Sequence, residues 1–274
     1  MTTCQSQKKG LKRNTIDKFY TNVSYALKCV EYVKKYVDIH TDDIFIEPSA
    51  GNGSFIKEIK TITNNYFFYD IEPDHTEIVK QDFLLLNTSI FSGKKVHIIG
   101  NPPFGRQSSM AIHFIKKSCE FAESISFILP KSFKKDSMKN KFTDTFHLIW
   151  EEDVPPNSFV VNGKSYDVPC VFQIWKKQDV ARILNPKQNP VGFQFVKKNE
   201  SPDISFRRVG VYAGKIETNI DKSEQSHYFI QFTNEKLLCE NINKLQNIQF
   251  QTNNTVGPKS ISKQELIEEF NKVL

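Results

Sequence analysis

An amino group with two protons to donate is held best by two acceptors that face one point. The stretch Val96-His-Ile-Ile-Gly-Asn-Pro-Pro-Phe-Gly105 can build such a pair. Val96–Ile99 reads as an apolar strand that delivers Asn101 to its carboxyl end. Pro102 and Pro103 then freeze the backbone and carry no N–H of their own. The side-chain oxygen of Asn101 and the carbonyl of Pro102 are the candidate acceptors. Phe104, at a fixed offset, offers an aromatic face to the ring that bears the amine.

Upstream, Asp43-Ile-Phe-Ile-Glu-Pro-Ser-Ala-Gly-Asn-Gly-Ser-Phe55 runs from an apolar strand through a glycine turn toward a helix starting near Ser54. Gly51 and Gly53 permit close approach of the backbone to a ligand, and Glu47 marks the strand's end. The third glycine of a dinucleotide fingerprint is missing, which favours a smaller nucleoside over a pyrophosphate. Alone, this stretch fits a plain structural turn equally well. A second strand, Tyr66–Tyr69, ends at Asp70, about 20 residues after the turn, where a carboxylate can accept from ribose hydroxyls. Asp70 is preferred to Glu72 because it falls at the strand's end. Asp82 beside Phe83 pairs a carboxylate with an aromatic, a means of meeting a purine amine and its ring.

Several strands must carry these residues. Apolar runs at Ile44–Ile46, Tyr66–Tyr69, Val96–Ile99, Ser126–Leu129, Leu148–Trp150 and Val171–Trp175 alternate with helical patterns, notably Met110–Phe121. Val23, Ala26, Leu27, Val30, Val33 and Val37 form one apolar helical stripe. Strands alternating with helices imply a mostly parallel sheet covered on both faces, with ligands at the strands' carboxyl ends. After a polar, proline-punctuated link at 178–190, short strands at 191–195, 204–209 and 228–232 and a helix over 263–273 suggest a small α+β unit.

The 274 residues hold 37 Lys and Arg against 31 Asp and Glu, and the excess sits toward the two ends. Five basic residues against one acid in residues 1–20 suggest a disordered basic lead-in over 1–14 that meets a polyanion. No uncharged apolar run reaches the ~18 residues of a membrane span, and the first ten residues contain no secretory core. The five cysteines are scattered without metal-ligand spacing, so no metal is expected, and a reducing intracellular setting, cytoplasmic or nuclear, fits best. Lys131, Lys134, Lys135, Lys139 and Lys141, with Arg207 and Arg208, are candidates for neutralising phosphates or reading guanine edges.

Together, Asp17-Lys-Phe-Tyr-Thr21, Glu47-Pro-Ser-Ala-Gly-Asn-Gly-Ser-Phe55, Asp70, Asp82 and Asn101-Pro-Pro-Phe104 resemble the class I S-adenosylmethionine-dependent adenine-N6 methyltransferases. The likeness covers residues 15–177 and is nearest to the DNA enzymes whose cofactor motifs precede Asn-Pro-Pro-aromatic. It implies a Rossmann-like, seven-stranded, mostly parallel sheet with its last strand antiparallel, followed by a C-terminal recognition segment over 178–274. The hairpin joining Leu148–Trp150 to Val171–Trp175 would close that sheet.

The same resemblance implies that Tyr20 and Thr21 cover the cofactor's methionine end. Glu47, Pro48, Ser49, Ala50, Gly51 and Gly53 would hold it from below. Asp70 would take the ribose, Ile71 would also meet the cofactor, Asp82 and Phe83 would meet the adenine, and Asn101, Pro102, Pro103 and Phe104 would carry the chemistry, Asn101 touching the cofactor as well. Phe159 is similar in position to the family's second stacking aromatic, although core packing is the favoured reading for it. The expected substrate is adenine in DNA, reached by base flipping or in a single strand. RNA comes next, and glutamine N5 methylation or a non-catalytic nucleic-acid-binding subunit comes after it.

Overall fold

Short β-branched and aromatic runs become strands, and the stretches between them become helices, in the computed structural model. It describes residues 19–184, 186–234, 237–250 and 259–274, so the basic lead-in read over 1–14 lies outside the described residues. Two compact units form. The first comprises residues up to 129 with 141–168 and 172–179, and the second comprises 130–140, 169–171 and 180–274.

In chain order, the elements up to residue 123 are β1 (Tyr20–Thr21), α1 (Val23–Tyr36), β2 (Ile44–Glu47), α2 (Ile56–Ile59), β3 (Tyr66–Asp70), β4 (Val79–Lys80), β5 (Val96–Gly100) and α3 (Ser109–Cys119). Then follow β6 (Ser124–Pro130), α4 (Asp136–Lys139), β7 (Phe146–Asp153), β8 (Phe159–Val161), β9 (Lys164–Tyr166) and β10 (Cys170–Lys177). Seven strands make one sheet in the order β4-β3-β2-β5-β6-β10-β7. Pairings β3–β4, β2–β3, β2–β5 and β5–β6 are parallel. Hydrogen bonds from Lys131 N to Pro169 O and from Lys177 N to Glu123 O run β10 antiparallel to β6. This is the Rossmann-like arrangement implied by the motifs, with one reversed strand.

All five residues of β5 and all seven of β6 are buried, as strands covered on both faces must be. Asn22 caps α1 by accepting from Ser24 N at 3.0 Å. The stripe that α1 buries is Tyr25, Ala26, Cys29, Val30 and Val33, while Val23 and Leu27 face solvent, so the expected apolar face is rotated. Tyr36 stacks on Trp150 at 4.3 Å, fixing α1 against β7. At the end of the sheet away from the strands' carboxyl termini, His97 bridges Asp43 Oδ2 at 3.0 Å and Ser124 Oγ at 2.7 Å. That buried network ties the starts of three adjacent strands together.

The connection between β7 and β10 is not a plain loop. Asn162 and Gly163, both at positive φ (49° and 74°), turn β8 back onto β9, and β8 pairs with β1. The second unit contains β11 (Phe193–Val196), β12 (Ile204–Arg207), β13 (Ile216–Glu217) and β14 (His227–Phe232) in the order β11-β14-β12-β13. Helices α5 (Leu238–Gln246) and α6 (Lys263–Phe270) supply Leu245, Leu266, Ile267 and Phe270 to its core. Ser262 and Glu265 form a capping box on α6. No helix among the described residues is long and apolar enough to cross a membrane.

A candidate active site at the carboxyl ends of the strands

Three neighbouring parallel strands, β3, β2 and β5, end side by side, and their end residues are tied to one another. Ala50 N donates to Tyr69 O at 2.9 Å, fastening the turn after β2 to β3. Gly51 N donates to Asp70 Oδ2 at 2.8 Å, and Glu72 N donates to Asp70 Oδ1 at 2.8 Å. Ser49 Oγ donates to the carbonyl of Asn101 at 3.1 Å, joining the turn after β2 to the end of β5. The Asn101 amide nitrogen in turn donates to Phe19 O at 2.9 Å. These bonds surround a cavity of about 190 Å³ within the first unit.

Of the expected residues, Tyr20, Pro48, Ser49, Gly51, Asp70, Ile71, Asp82, Phe83 and Asn101 through Phe104 line this cavity. Gly51 has φ +54°, and a Cβ there would come 2.8 Å from the Tyr20 ring, so the close approach requires glycine. The Tyr20 hydroxyl donates to Asp74. Asp82 Oδ1 accepts from Leu84 N at 2.9 Å, and Phe83 stacks against Phe114 with ring centroids 5.4 Å apart. Asp82 therefore stands at the cavity as the cap of a short turn.

Thr21, Glu47, Ala50 and Gly53 are not on the cavity wall; the first three are buried beneath it, and Gly53 faces Ile56 and His75. Phe159 follows the core-packing reading and not the stacking one. It is 1% exposed, pairs with Thr21 across β1 and β8, and its ring serves the core instead of offering a stacking face. Lys135 has partners within its own unit: its ammonium lies 3.1 Å from Glu265 Oε2 and 2.9 Å from Ser260 O, so it braces the start of α6. Arg207 Nε donates to Val209 O, and Arg208 donates to Gln225 O while lying over the Tyr228 ring. Lys134 is half-buried in the turn Lys131–Lys134. All four basic residues belong to the second unit.

Sequence reasoning missed Phe19, Leu84, Met110 and Phe114 as wall residues and set aside Glu72, which also lines the cavity. Phe19 contributes a backbone carbonyl, which no residue type announces. Met110 and Phe114 stand four apart on α3 and read as ordinary core spacing, though their place after the Asn-Pro-Pro-Phe loop was a usable signal. Met110 N donates to Phe104 O at 3.1 Å, clamping that loop to the helix.

Glu47 is 2% exposed and its Oε2 has no partner among the described residues. Burial, reinforced by the nearby Asp70 carboxylate, pushes its pKa well above the ordinary glutamate value. A carboxyl whose folded pKa is raised contributes stability fully below its unfolded pKa, ~4.3, and loses it as pH rises through the folded value. Glu47→Gln stays neutral throughout. Relative to the wild type it is expected to gain stability as pH rises above ~4.3 toward the raised folded value, measured by urea unfolding. A stability difference that does not change with pH would show Glu47 ionised in the fold.

Residues 56–186 match the EDM2 methyltransferase-like domain, a span that includes Asp70, Asp82 and Asn101–Phe104. The chain is 23% identical over 195 residues to the protein ENHANCED DOWNY MILDEW 2 of Arabidopsis thaliana, covering 63% of this chain and 15% of that protein. Among solved structures, it is similar to the 23S rRNA methyltransferase ErmE at 13% identity and TM-score 0.44, covering 61% of this chain and 72% of that one. It is also similar to the N-methyltransferase NodS of Bradyrhizobium japonicum at 10% identity and TM-score 0.39, covering 57% and 94%.

Proposed function

We propose that this chain transfers a methyl group from S-adenosylmethionine to the N6 amine of adenine in a nucleic acid, with DNA as the first substrate to examine and RNA as the second. The observation that carries the reading is the fixed amide of Asn101. Its nitrogen is committed to Phe19 O, which leaves Oδ1 as the acceptor at the cavity beside Pro102. The residues also fit the donor. The bare Cα of Gly51 makes room that a Cβ would take, Asp70 offers carboxylate lone pairs, and Phe83 gives an aromatic wall.

When bound, S-adenosylmethionine supplies an electrophilic methyl on a sulfonium. Adenine N6 is a weak nucleophile because its lone pair is delocalised into the ring. Asn101 Oδ1 and the Pro102 carbonyl would accept its two protons and favour a pyramidal nitrogen. Phe104 would hold the ring by stacking. The chain thereby orients the amine and stabilises the positive charge that develops on it, with no strong base required during transfer, because one amine proton leaves to solvent after the methyl has moved. A base in a duplex must leave the stack to reach such a cavity.

The test offers labelled S-adenosylmethionine with duplex DNA, single-stranded DNA, structured RNA and total protein, followed by nucleoside analysis. N6-methyladenine in one nucleic acid pool, absent with Asn101→Ala, is the expected result. A chain that does not bind the cofactor, or that labels only protein, would overturn the reading.

A further inference from the structure

The second unit contains a cavity of its own, walled by Phe195, Lys197, Glu224, His227, Tyr228 and Lys263 among others. We infer that it holds one nucleotide of a single-stranded nucleic acid. The inference rests on the nucleic-acid substrate proposed above and assigns that substrate a second point of contact.

Two features match the parts of a nucleotide. The first is charge. Lys197 and Lys263 are exposed and have no carboxylate partner among the described residues, whereas the neighbouring Lys198 is spent on Asp221 at 2.7 Å. Glu224 is the carboxylate on the wall, against two unpaired ammonium groups suited to a phosphodiester.

The second is an aromatic corner. Phe195 and Tyr228 meet edge to face at 5.6 Å, with Lys263 Nζ 4.5 Å from the Phe195 centroid and 5.8 Å from that of Tyr228. A phosphate drawn to Lys263 therefore brings its sugar and base against aromatic carbon, as in sequence-tolerant binding of single strands.

The experiment titrates the full chain into fluorescently labelled 12-mers of one sequence, made as RNA and as DNA, and follows anisotropy across salt concentrations. Lys197→Glu with Lys263→Glu changes two exposed side chains, and a thermal melt confirms folding. The double variant is expected to bind at least ~10-fold more weakly at physiological salt, with a salt slope shallower by about 1.4, the value for two phosphate contacts on a single strand. Unchanged affinity and slope would overturn the assignment.

Methyl transfer is measured on the same proteins. Binding carried by the two lysines in a chain that methylates no adenine supports the cavity and overturns the catalytic reading. Adenine methylation with KM for the nucleic acid unchanged in the double variant does the reverse.

Discussion

Asn101→Ala is expected to reduce turnover by on the order of 10²–10³-fold, the cost of deleting one preorganised polar partner of the reacting group. The expectation comes from what holds the side chain. Its nitrogen is anchored to Phe19 O at 2.9 Å and its backbone carbonyl to Ser49 Oγ at 3.1 Å, so Oδ1 needs no reorganisation when charge develops on the amine. Alanine removes the acceptor. The backbone stays in place, held by Ser49 and by the two following prolines. Cofactor affinity should therefore be nearly unchanged, and the loss should appear in kcat measured at saturating cofactor.

Asn101→Asp separates acceptor from anchor. It keeps an oxygen for the amine but turns a carboxylate toward the Phe19 carbonyl, and a carboxylate cannot donate there. Activity between that of the wild type and that of Asn101→Ala is expected. Full turnover in Asn101→Ala would refute the role given to this residue.

The legible parts of the molecule were those whose cause is local. Asp70 and Asn101 stand at the ends of strands, and Gly51 in the turn after another, that their own apolar runs declare, and parallel neighbours bring such ends together. Asn162-Gly163 was also legible as a hairpin turn between Val160-Val161 and Ser165-Tyr166, and reading 155–167 as a mere connection passed over it. That hairpin decides the fate of Phe159, because register sets which face a strand residue takes.

Non-local effects left no mark. Lys135 looked like one member of a basic run, yet its partner Glu265 lies 130 positions away on α6. Thr21 and Glu47 occupy motif positions but face inward, and alternation along a strand two to four residues long is too short a pattern to assign faces. The anchor that Phe19 supplies to Asn101 is a carbonyl, and every residue carries one.

Asp70→Ala is expected to strike the cofactor rather than the chemistry. The carboxylate does two things at the end of β3: Oδ2 accepts from Gly51 N and Oδ1 from Glu72 N, each at 2.8 Å, while its remaining lone pairs face the cavity. Hydrogen bonds to a charged group contribute about 1.5–3 kcal/mol. Removing those to a ribose should raise the dissociation constant for S-adenosylmethionine by roughly 10- to 150-fold. The same change leaves Gly51 N–H without its acceptor and loosens a turn whose φ of +54° already demands glycine.

Asp70→Asn shows whether shape or acceptor count matters. Its amide presents one oxygen and one nitrogen, so either Gly51 N–H or Glu72 N–H must face a donor. The variant should therefore behave like alanine despite its near-identical shape. Calorimetry of cofactor binding, with turnover extrapolated to saturating cofactor, separates the outcomes. A raised dissociation constant with most of kcat recovered supports the ribose assignment. An unchanged constant in both variants would move the ribose elsewhere in the cavity, and with it the orientation that points the transferred methyl at Asn101.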